Sequence, residues 1–314
     1  MTAEMPREPI MDQFATAGLS ENIVLAAFRD VLEQRPTPGL YLVATPIGNL
    51  GDVSLRALAL LAACDHLYCE DRRVSRRLLS RFGITRTLRS YHEHNAEKTR
   101  PKILADLAKG SAVTLISDAG TPGISDPGFK LVREAIAAGY SVVPVPGPTA
   151  AIAALSASGL PTDRFFFIGF LPSKRRSRRQ QLGGLATIPA SLIFYESPHR
   201  LADTLEDLRD VFGDRQAAIA RELTKKFEAF ERGSLEDLVA LSSHLKVRGE
   251  VTLVVGPPDP AAKAAATDAE VLDRLVSALD TMRPSQAAKI VAEDLGVAKS
   301  RVYELALKLR RERM

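Results

Sequence analysis

The chain has 314 residues, of which 46% are hydrophobic and 25% charged, a composition typical of a globular protein large enough for two cores. Its net charge of +4 permits nucleic-acid binding without requiring it. Two cysteines exclude a disulfide framework, and no apolar run approaches the roughly 20 residues of a membrane span. We therefore expect a cytoplasmic protein that does not insert into a membrane.

Residues 1–37 contain several acids and no apolar signal core, so they do not resemble a signal or transit peptide. We predict a loose extension with one short amphipathic helix around Glu21 to Glu33. The Pro36-Thr37-Pro38-Gly39 run then marks a domain boundary.

Strands and helices alternate in the first half of the chain. Apolar runs predict strands at 40–44, 66–69, 87–91, 112–116 and 141–145, with helices at 54–63, 72–82, 97–109, 129–138 and from 150 onward. This alternation predicts a mainly parallel sheet in an α/β domain at 38–158.

The pattern changes after Gly159. Further strands are predicted at 165–168, 191–195, 217–220, 226–230 and 250–255, and the pair near 219 and 228 is close enough for a hairpin. These segments predict a second α/β domain with a mixed sheet at 159–258. A Pro- and Ala-rich linker at 257–266 follows it.

Residues 268–314 read as a small helical module. Pro284 to Gln286 cap a helix from Ala287 to Leu295, Gly296-Val297 makes a tight turn, and Ser300 opens a helix to Arg311. Helix, short turn and helix is a helix-turn-helix pattern. The sequence leaves open whether this module contacts nucleic acid or docks as a helix pair.

Three loops rich in glycine and proline follow predicted strands, at 45–52, 117–128 and 146–150. Loops at the carboxyl ends of parallel strands share one edge of a sheet, where ligands bind in α/β proteins. Each alone is consistent with an ordinary turn, but the three in phase predict a pocket for one compact ligand. Neither a G-x-G-x-x-G pattern nor a G-x-x-x-x-G-K loop is present, which argues against NAD and nucleoside triphosphates.

Two further polar segments follow strands. Glu70 and Asp71 end the second strand; adjacent strand residues face opposite sides, so we expect at most one carboxylate to point into a cleft. The alternative is a cap for the next helix. His92 and His94 suggest a metal site, but no third ligand is evident, and a polar loop is favoured.

The segment 172–179 is strongly basic and contains no acid. Such a run is usually a solvated helix face. Because it follows an aromatic strand and a proline turn, a surface for RNA phosphates is at least as well supported. The predicted RNA-binding residues are Lys174, Arg175, Arg176, Arg178, Arg179 and Arg200.

Seven ordered motifs closely resemble the ribosomal RNA small subunit methyltransferase I family of the tetrapyrrole methylase superfamily. They are 42–52, Glu70-Asp71-x-Arg73, 117–128, 145–150, 169–172, 195–200 and 221–225. The resemblance covers about 39 to 256 and, more weakly, the helical tail. Position 72 is Arg where the family usually has Thr, and position 227 is Phe where His is common, which removes one candidate base.

The resemblance implies two α/β domains with S-adenosylmethionine in the cleft between them, usually in a homodimer. It implies methylation of the ribose 2′-hydroxyl of a cytidine in the decoding region of 16S rRNA, with the 30S ribosomal subunit as partner. The implied cofactor-binding residues are Pro46, Ile47, Gly48, Ser117, Asp118, Ala119, Gly120, Thr121, Thr149, Ala150, Tyr195 and Leu223.

Methyl transfer to a hydroxyl needs alignment and a proton acceptor, so Asp71 or Glu70 is the candidate base and Lys225 an electrostatic partner or alternative base. Two other function classes stay open. One is a methyltransferase acting on a small tetrapyrrole, and the other is a ribosome-binding protein with a relic pocket.

Overall fold

Two compact units make up the fold, and each contains its own five-stranded sheet. The computed structural model describes residues 29–31, 35–125, 128–242, 249–259, 268–279, 282–295, 297 and 299–312. The first unit comprises the described residues up to Ala154 together with Glu222–Ala229. The second comprises Leu155–Arg221 and the described residues from Phe230 onward.

The sheet of the first unit is entirely parallel, as the alternation of strands and helices predicts. Its strands are β1 (Gly39–Val43), β2 (His66–Cys69), β3 (Leu88–Ser90), β4 (Ala112–Ile116) and β5 (Val142–Val145), in the order β3-β2-β4-β1-β5. The helices are α1 (Leu55–Ala63), α2 (Arg72–Arg81), α3 (Ala96–Ala108), α4 (Phe129–Ala137) and α5 (Ala150–Ser158).

Helices cover both faces of this sheet, and successive strand residues point to opposite faces. Leu40 packs with residues of α3 and α4, whereas its neighbour Tyr41 packs with residues of α1 and α2. Local capping fixes where the helices begin: the Ala57 amide donates to Ser54 Oγ at 3.1 Å, ahead of α1. Gly139, with φ +79°, follows the end of α4.

The sheet of the second unit is mixed, as predicted. Its strands are β6 (Phe165–Phe170), β7 (Ser191–Glu196), β8 (Gln216–Arg221), β9 (Ala229–Ser234) and β10 (Val251–Val255), in the order β6-β7-β10-β8-β9. β6 runs parallel to β7, while β10 is antiparallel to β7 and β8. Helices α6 (Arg175–Leu185), α7 (Leu201–Phe212) and α8 (Leu235–Ser242) supply apolar side chains to one core beside it.

The strand predicted at 226–230 is wrong in position, since β9 starts only at Ala229. The preceding residues turn: Glu222 and Thr224 have φ of +49° and +65°, and the Lys225 amide donates to the Glu222 carbonyl at 3.0 Å. Apolar Phe227 suggested a strand, but this residue is 75% exposed. The segment is therefore a shaped loop between β8 and β9.

Three helices close the described chain: α9 (Asp268–Leu279), α10 (Pro284–Leu295) and α11 (Lys299–Glu312). They enclose a core of their own that includes Val271, Leu275, Ala288 and Val302. The sequence predicted both ends of α11 within one residue and the last residue of α10, but α10 begins at Pro284, three residues before the predicted start at Ala287. The sequence did not delimit α9.

Several predictions fall wholly or partly outside the described residues. Of the helix expected around Glu21 to Glu33, only 29–31 are described, and they are helical. Asp126 and most of the linker at 257–266 lie outside as well. Within the described ranges, no helix is both long and apolar enough to cross a bilayer.

Candidate functional site

The loops that follow β1, β4 and β5 lie side by side because those strands are neighbours in the sheet. Thr45 and Gly120 exchange two backbone hydrogen bonds, at 2.9 and 3.0 Å, which joins the first loop to the second. Thr121 Oγ1 donates to the Pro148 carbonyl at 3.3 Å and joins the second loop to the third. The three loops thus form one connected rim at the carboxyl ends of the strands.

Two glycines on this rim meet steric demands that other residues would not. Gly120 has φ +82°, a left-handed conformation that costs other residues energy. A Cβ on Gly147 would lie 2.8 Å from Ala44 Cβ. Ser117 is buried, and its hydroxyl donates to the Gly120 carbonyl at 3.0 Å, so this side chain stabilises the loop itself.

The segment Glu222–Ala229 packs on the first loop within the same unit. The Asn49 amide donates to Thr224 Oγ1 at 3.0 Å. A Cβ on Gly48 would come within 2.5 Å of Lys225 Cγ, so glycine permits the close approach of this lysine. Lys225 Nζ forms an ion pair with Glu222 Oε1 at 2.9 Å. Lys225, proposed for catalysis, therefore lies beside Gly48 of the predicted cofactor loop.

A polar cavity of about 500 Å³ opens at the ends of β2, β3 and β4. Its lining residues are Glu70, Asp71, Arg72, Arg73, Ser90, His92, His94 and Asp118. We call it the acidic cavity, because three of the side chains are carboxylates. The structure brings together here residues that the sequence separates by up to 48 positions.

The expectation that at most one of Glu70 and Asp71 faces a cleft is wrong, because both line the acidic cavity. The alternation rule does not apply, since β2 ends at Cys69 and Asp71 is the N-cap of α2. The interpretation of Asp71 as a helix cap is thus confirmed: its Oδ1 accepts from the Arg73 amide at 2.7 Å.

Asp71 is also held by the side chain of Arg73. The guanidinium donates from Nε and Nη2 to the two carboxylate oxygens, with the shorter contact at 2.6 Å. These hydrogen bonds lower the pKa of Asp71 from 3.8 to about 2. A carboxylate with so low a pKa is a weak proton acceptor at neutral pH.

Glu70 and Asp118 are shifted in the opposite direction. Burial raises the pKa of both carboxyls, and each is raised further by the charges of the neighbouring acids. Asp118 also accepts a hydrogen bond from the Asp71 amide at 2.9 Å, which ties the loop after β4 to the start of α2. Of the two carboxylates proposed as the base, Glu70 is therefore the stronger proton acceptor.

Sequence reasoning missed Ser90 and Arg73 as site residues and considered His92 only for metal binding. The His92 amide donates to Asn95 Oδ1 at 2.9 Å, and Asn95 in turn donates to the Ser90 carbonyl at 3.1 Å. His92 Nδ1 is buried without a hydrogen-bond partner among the described residues. The polar run 91–95 directly after β3 could have indicated these site residues, because β3 lies next to β2 in the sheet and the ends of the two strands are adjacent.

The histidine rings of His92 and His94 lie 6.1 Å apart, centroid to centroid. In the part of the chain that the structure describes, no group of three His, Cys, Asp or Glu side chains is arranged to hold a metal ion. The two cysteines, Cys64 and Cys69, are buried and unbonded to each other.

The basic run in the second unit is not a uniformly solvated face, and its interpretation as such requires correction. Arg178 is only 3% exposed, and its guanidinium contacts the fully buried carboxylate of Asp207 at 2.7 Å. Arg175 and Arg179 contact the same carboxylate at 3.0 and 3.2 Å. Arg178 is therefore not available to RNA, whereas Lys174 and Arg176 are exposed.

Arg200 and Tyr195 also belong to the second unit and serve packing within it. Arg200 Nη2 donates to the carbonyls of Leu171 and Pro172 at 2.8 and 3.2 Å. The Tyr195 ring packs edge-on against Phe167 and Phe170, with centroid distances of 4.9 and 5.6 Å.

Residues 39–239 match the family described as Tetrapyrrole (Corrin/Porphyrin) Methylases, and residues 265–310 match the RsmI C-terminal HTH domain. The chain is 50% identical to ribosomal RNA small subunit methyltransferase I of Mesorhizobium japonicum over 279 residues, covering 87% of this chain and 92% of the relative. It is 49% identical to the protein of that name from Pseudomonas aeruginosa, covering 85% and 96%.

Solved structures resemble the fold at lower sequence identity. Diphthine synthase superposes with a TM-score of 0.56 at 17% identity, covering 69% of this chain and 89% of that protein. A cobalt precorrin-4 methyltransferase superposes with a TM-score of 0.53 at 18% identity, covering 69% and 94%. At such identities the likeness extends to the fold alone.

Proposed function

Because the chain belongs to the tetrapyrrole methylase family, we propose that it methylates the ribose 2′-hydroxyl of a cytidine in the decoding region of 16S rRNA. Its curated relatives carry the name ribosomal RNA small subunit methyltransferase, which supports ribosomal RNA as substrate. The methyl donor is S-adenosylmethionine. The observation that carries the proposal is the rim of three joined loops next to a cavity lined by carboxylates.

The chemistry of the rim fits a donor with a positive sulfonium and several polar groups. Backbone amides and carbonyls of the three loops are brought together there, and Asp118 adds a half-buried carboxylate. We propose that the cofactor contacts Pro46 to Gly48, Ser117 to Thr121, Thr149, Ala150 and Leu223 of the first unit. When bound, S-adenosylmethionine supplies an electrophilic methyl group on sulfur.

Glu70 is the proposed proton acceptor. Removal of the 2′-hydroxyl proton requires an ionised base whose pKa is not far below the working pH. Burial raises the pKa of Glu70 toward that range. Asp71, with its pKa near 2, instead fixes Arg73 and caps α2 at the cavity wall. Lys225 is proposed as an electrostatic partner from its place beside Gly48.

Methyl transfer from labelled S-adenosylmethionine to assembled 30S subunits, naked 16S rRNA and a porphyrinogen tests the substrate class. We expect labelled RNA in which the methyl group maps to a ribose 2′-oxygen. Transfer to the porphyrinogen alone would support the small-molecule alternative, and no binding of S-adenosylmethionine would support a relic pocket.

Glu70→Gln should lower the rate of methyl transfer roughly 100-fold or more while cofactor affinity is kept, because it removes the general base. Glu70 accepts a proton only when ionised, so the rate of the parent enzyme should rise with pH through the raised pKa of Glu70. This rise of the rate with pH, the acid limb of the pH–rate profile, should disappear in Glu70→Gln. The charged or titratable groups that line the cavity with Glu70 are Asp71, Arg72, Arg73, His92, His94 and Asp118.

Glu93→Gln is the matched control, since Glu93 is exposed on the same loop as His92 and does not line the cavity. A Glu70→Gln enzyme with parental activity and an unchanged acid limb would contradict the assignment.

We propose a cytoplasmic homodimer that acts on the small ribosomal subunit, as the family resemblance implies. Sedimentation of the full-length chain at several concentrations tests the dimer. A monomer at all concentrations would remove that part of the proposal.

A further inference from the structure

A second polar cavity, of about 560 Å³, lies along β3 and α3 of the first unit. Its lining residues are Tyr68, Arg89, Ser90, Thr99, Lys102, Ala105, Asp106 and Lys109. We call it the β3 groove. β3 is the edge strand of its sheet, so no further strand among the described residues covers this side. Unlike the acidic cavity, the groove is lined by three cations and one carboxylate.

The carboxylate of the groove orients its arginine. Arg89 Nη1 donates to Asp106 Oδ2 at 3.0 Å and to Tyr68 Oη at 3.2 Å, and the guanidinium lies 5.7 Å from the centre of the Tyr68 ring. Asp106 is 14% exposed, whereas Arg89 is 43% exposed. Arg89 Nε and Nη2 make no hydrogen bond to a described residue. The guanidinium is thus fixed while part of it still faces outward.

The lysines of the groove remain largely unneutralised. Lys109 is 75% exposed and lies 3.9 Å from Asp106 Oδ1, a long contact to a carboxylate already shared with Arg89 and His66. Lys102 is exposed and forms no ion pair with any described residue. The hydroxyls of Ser90 and Thr99 add donors of the kind that bind phosphate oxygens.

The groove adjoins the acidic cavity, because Ser90 lines both. An RNA strand with a ribose in the acidic cavity can therefore extend on one side past Ser90 toward Arg89. We propose that the β3 groove binds the phosphodiester backbone of the RNA strand next to the methylated nucleotide. This inference rests on the proposed function, and it assigns to Arg89, Lys102 and Lys109 the task of positioning the strand.

Counterion release measures such contacts directly, because the logarithm of the binding constant falls with the logarithm of salt concentration in proportion to the phosphates neutralised. Lys102→Gln/Lys109→Gln in the full-length chain should weaken binding of a labelled single-stranded RNA roughly tenfold at moderate salt. The slope should fall in magnitude by about 1.4, at about 0.7 for each lost contact. Lys102→Arg/Lys109→Arg should keep the parental slope.

The matched control is Lys130→Gln/Arg133→Gln on α4, which removes two positive charges from positions that line neither cavity. Its RNA binding and its salt dependence should stay at parental values. An unchanged slope in Lys102→Gln/Lys109→Gln, or an equal loss in the control, would overturn the proposal.

Two further measurements separate the possible failures. Inorganic phosphate should compete only weakly with the RNA; competition at low concentration would indicate a site for a free anion and overturn a backbone track. Affinity for S-adenosylmethionine should be the same in all variants. If the chain binds RNA through the groove but methylates no ribosomal substrate, the proposed function is wrong and the assignment of the groove as an RNA-binding site is kept.

Discussion

The basic segment on α6 and the β3 groove show opposite uses of positive charge. On α6, Arg175, Arg178 and Arg179 converge on Asp207, which is fully buried, and Arg179 also contacts Asp210 at 2.8 Å. In the groove, only Arg89 and Lys109 pair with the single partly buried carboxylate, Asp106, and Lys102 forms no ion pair with a described residue. The first arrangement joins α6 to α7, and the second leaves positive charge at the surface.

The number of basic residues in a stretch of sequence therefore does not measure surface charge. The run at 172–179 contains no acid, but α7 supplies its carboxylates from about 30 positions further along the chain. The groove is assembled from isolated residues that no local run reveals.

Asp207→Asn should destabilise the fold by about 3–5 kcal/mol, because it leaves the buried Arg178 without its charge partner. The free energy of unfolding, measured by denaturant titration, gives the effect. Glu206→Gln is the control, as Glu206 precedes Asp207 on the same helix and is exposed. A loss no larger than that of the control would mean that the α6 arginines are not held in this way.

Lys174→Gln/Arg176→Gln should weaken RNA binding by up to roughly tenfold and reduce its salt slope, because these side chains are exposed and form no ion pair with a described residue. Arg178→Gln should instead lower stability while the slope stays near the parental value. The same salt titration measures both variants. If Arg178→Gln alone reduced the slope in its folded state, the contrast between buried and exposed charge would be wrong.

Asp106→Asn should lower the free energy of unfolding by only about 1 kcal/mol, because the asparagine still accepts hydrogen bonds and the groove is open to water. RNA affinity should rise a few-fold at low salt, since the groove gains net positive charge. Removal of an acid thus has opposite consequences in the two regions. Weaker RNA binding in a folded Asp106→Asn protein would show that the orientation of Arg89 outweighs the added charge.

Much of the fold was predictable because it depends on local signals. Apolar runs placed β4 at 112–116 without error, and caps such as Ser54 set the start of α1. The loop at 222–228 was not predictable in the same way. Its apolar Phe227 suggested a strand, whereas the left-handed conformations of Glu222 and Thr224 turn the chain.

The candidate site was predictable only in part. The three loops could be recognised because glycine and proline follow strands whose ends must share one edge of a parallel sheet. The roles of Glu70 and Asp71 could not be distinguished, since adjacent carboxylates look alike in sequence. Their pKa values diverge because burial acts on Glu70 while Arg73 holds Asp71.

The alternation of strands and helices, the loop motifs and the family membership depend on residues close together in the chain, so the amino-acid sequence suffices to recognise them. Which charges stay exposed depends instead on how the chain packs. Whether an arginine meets a carboxylate depends on partners such as Asp207 and Asp106, which packing delivers from distant positions. A buried ion pair of this kind joins elements of the fold, whereas an exposed one leaves positive charge that a ligand can contact.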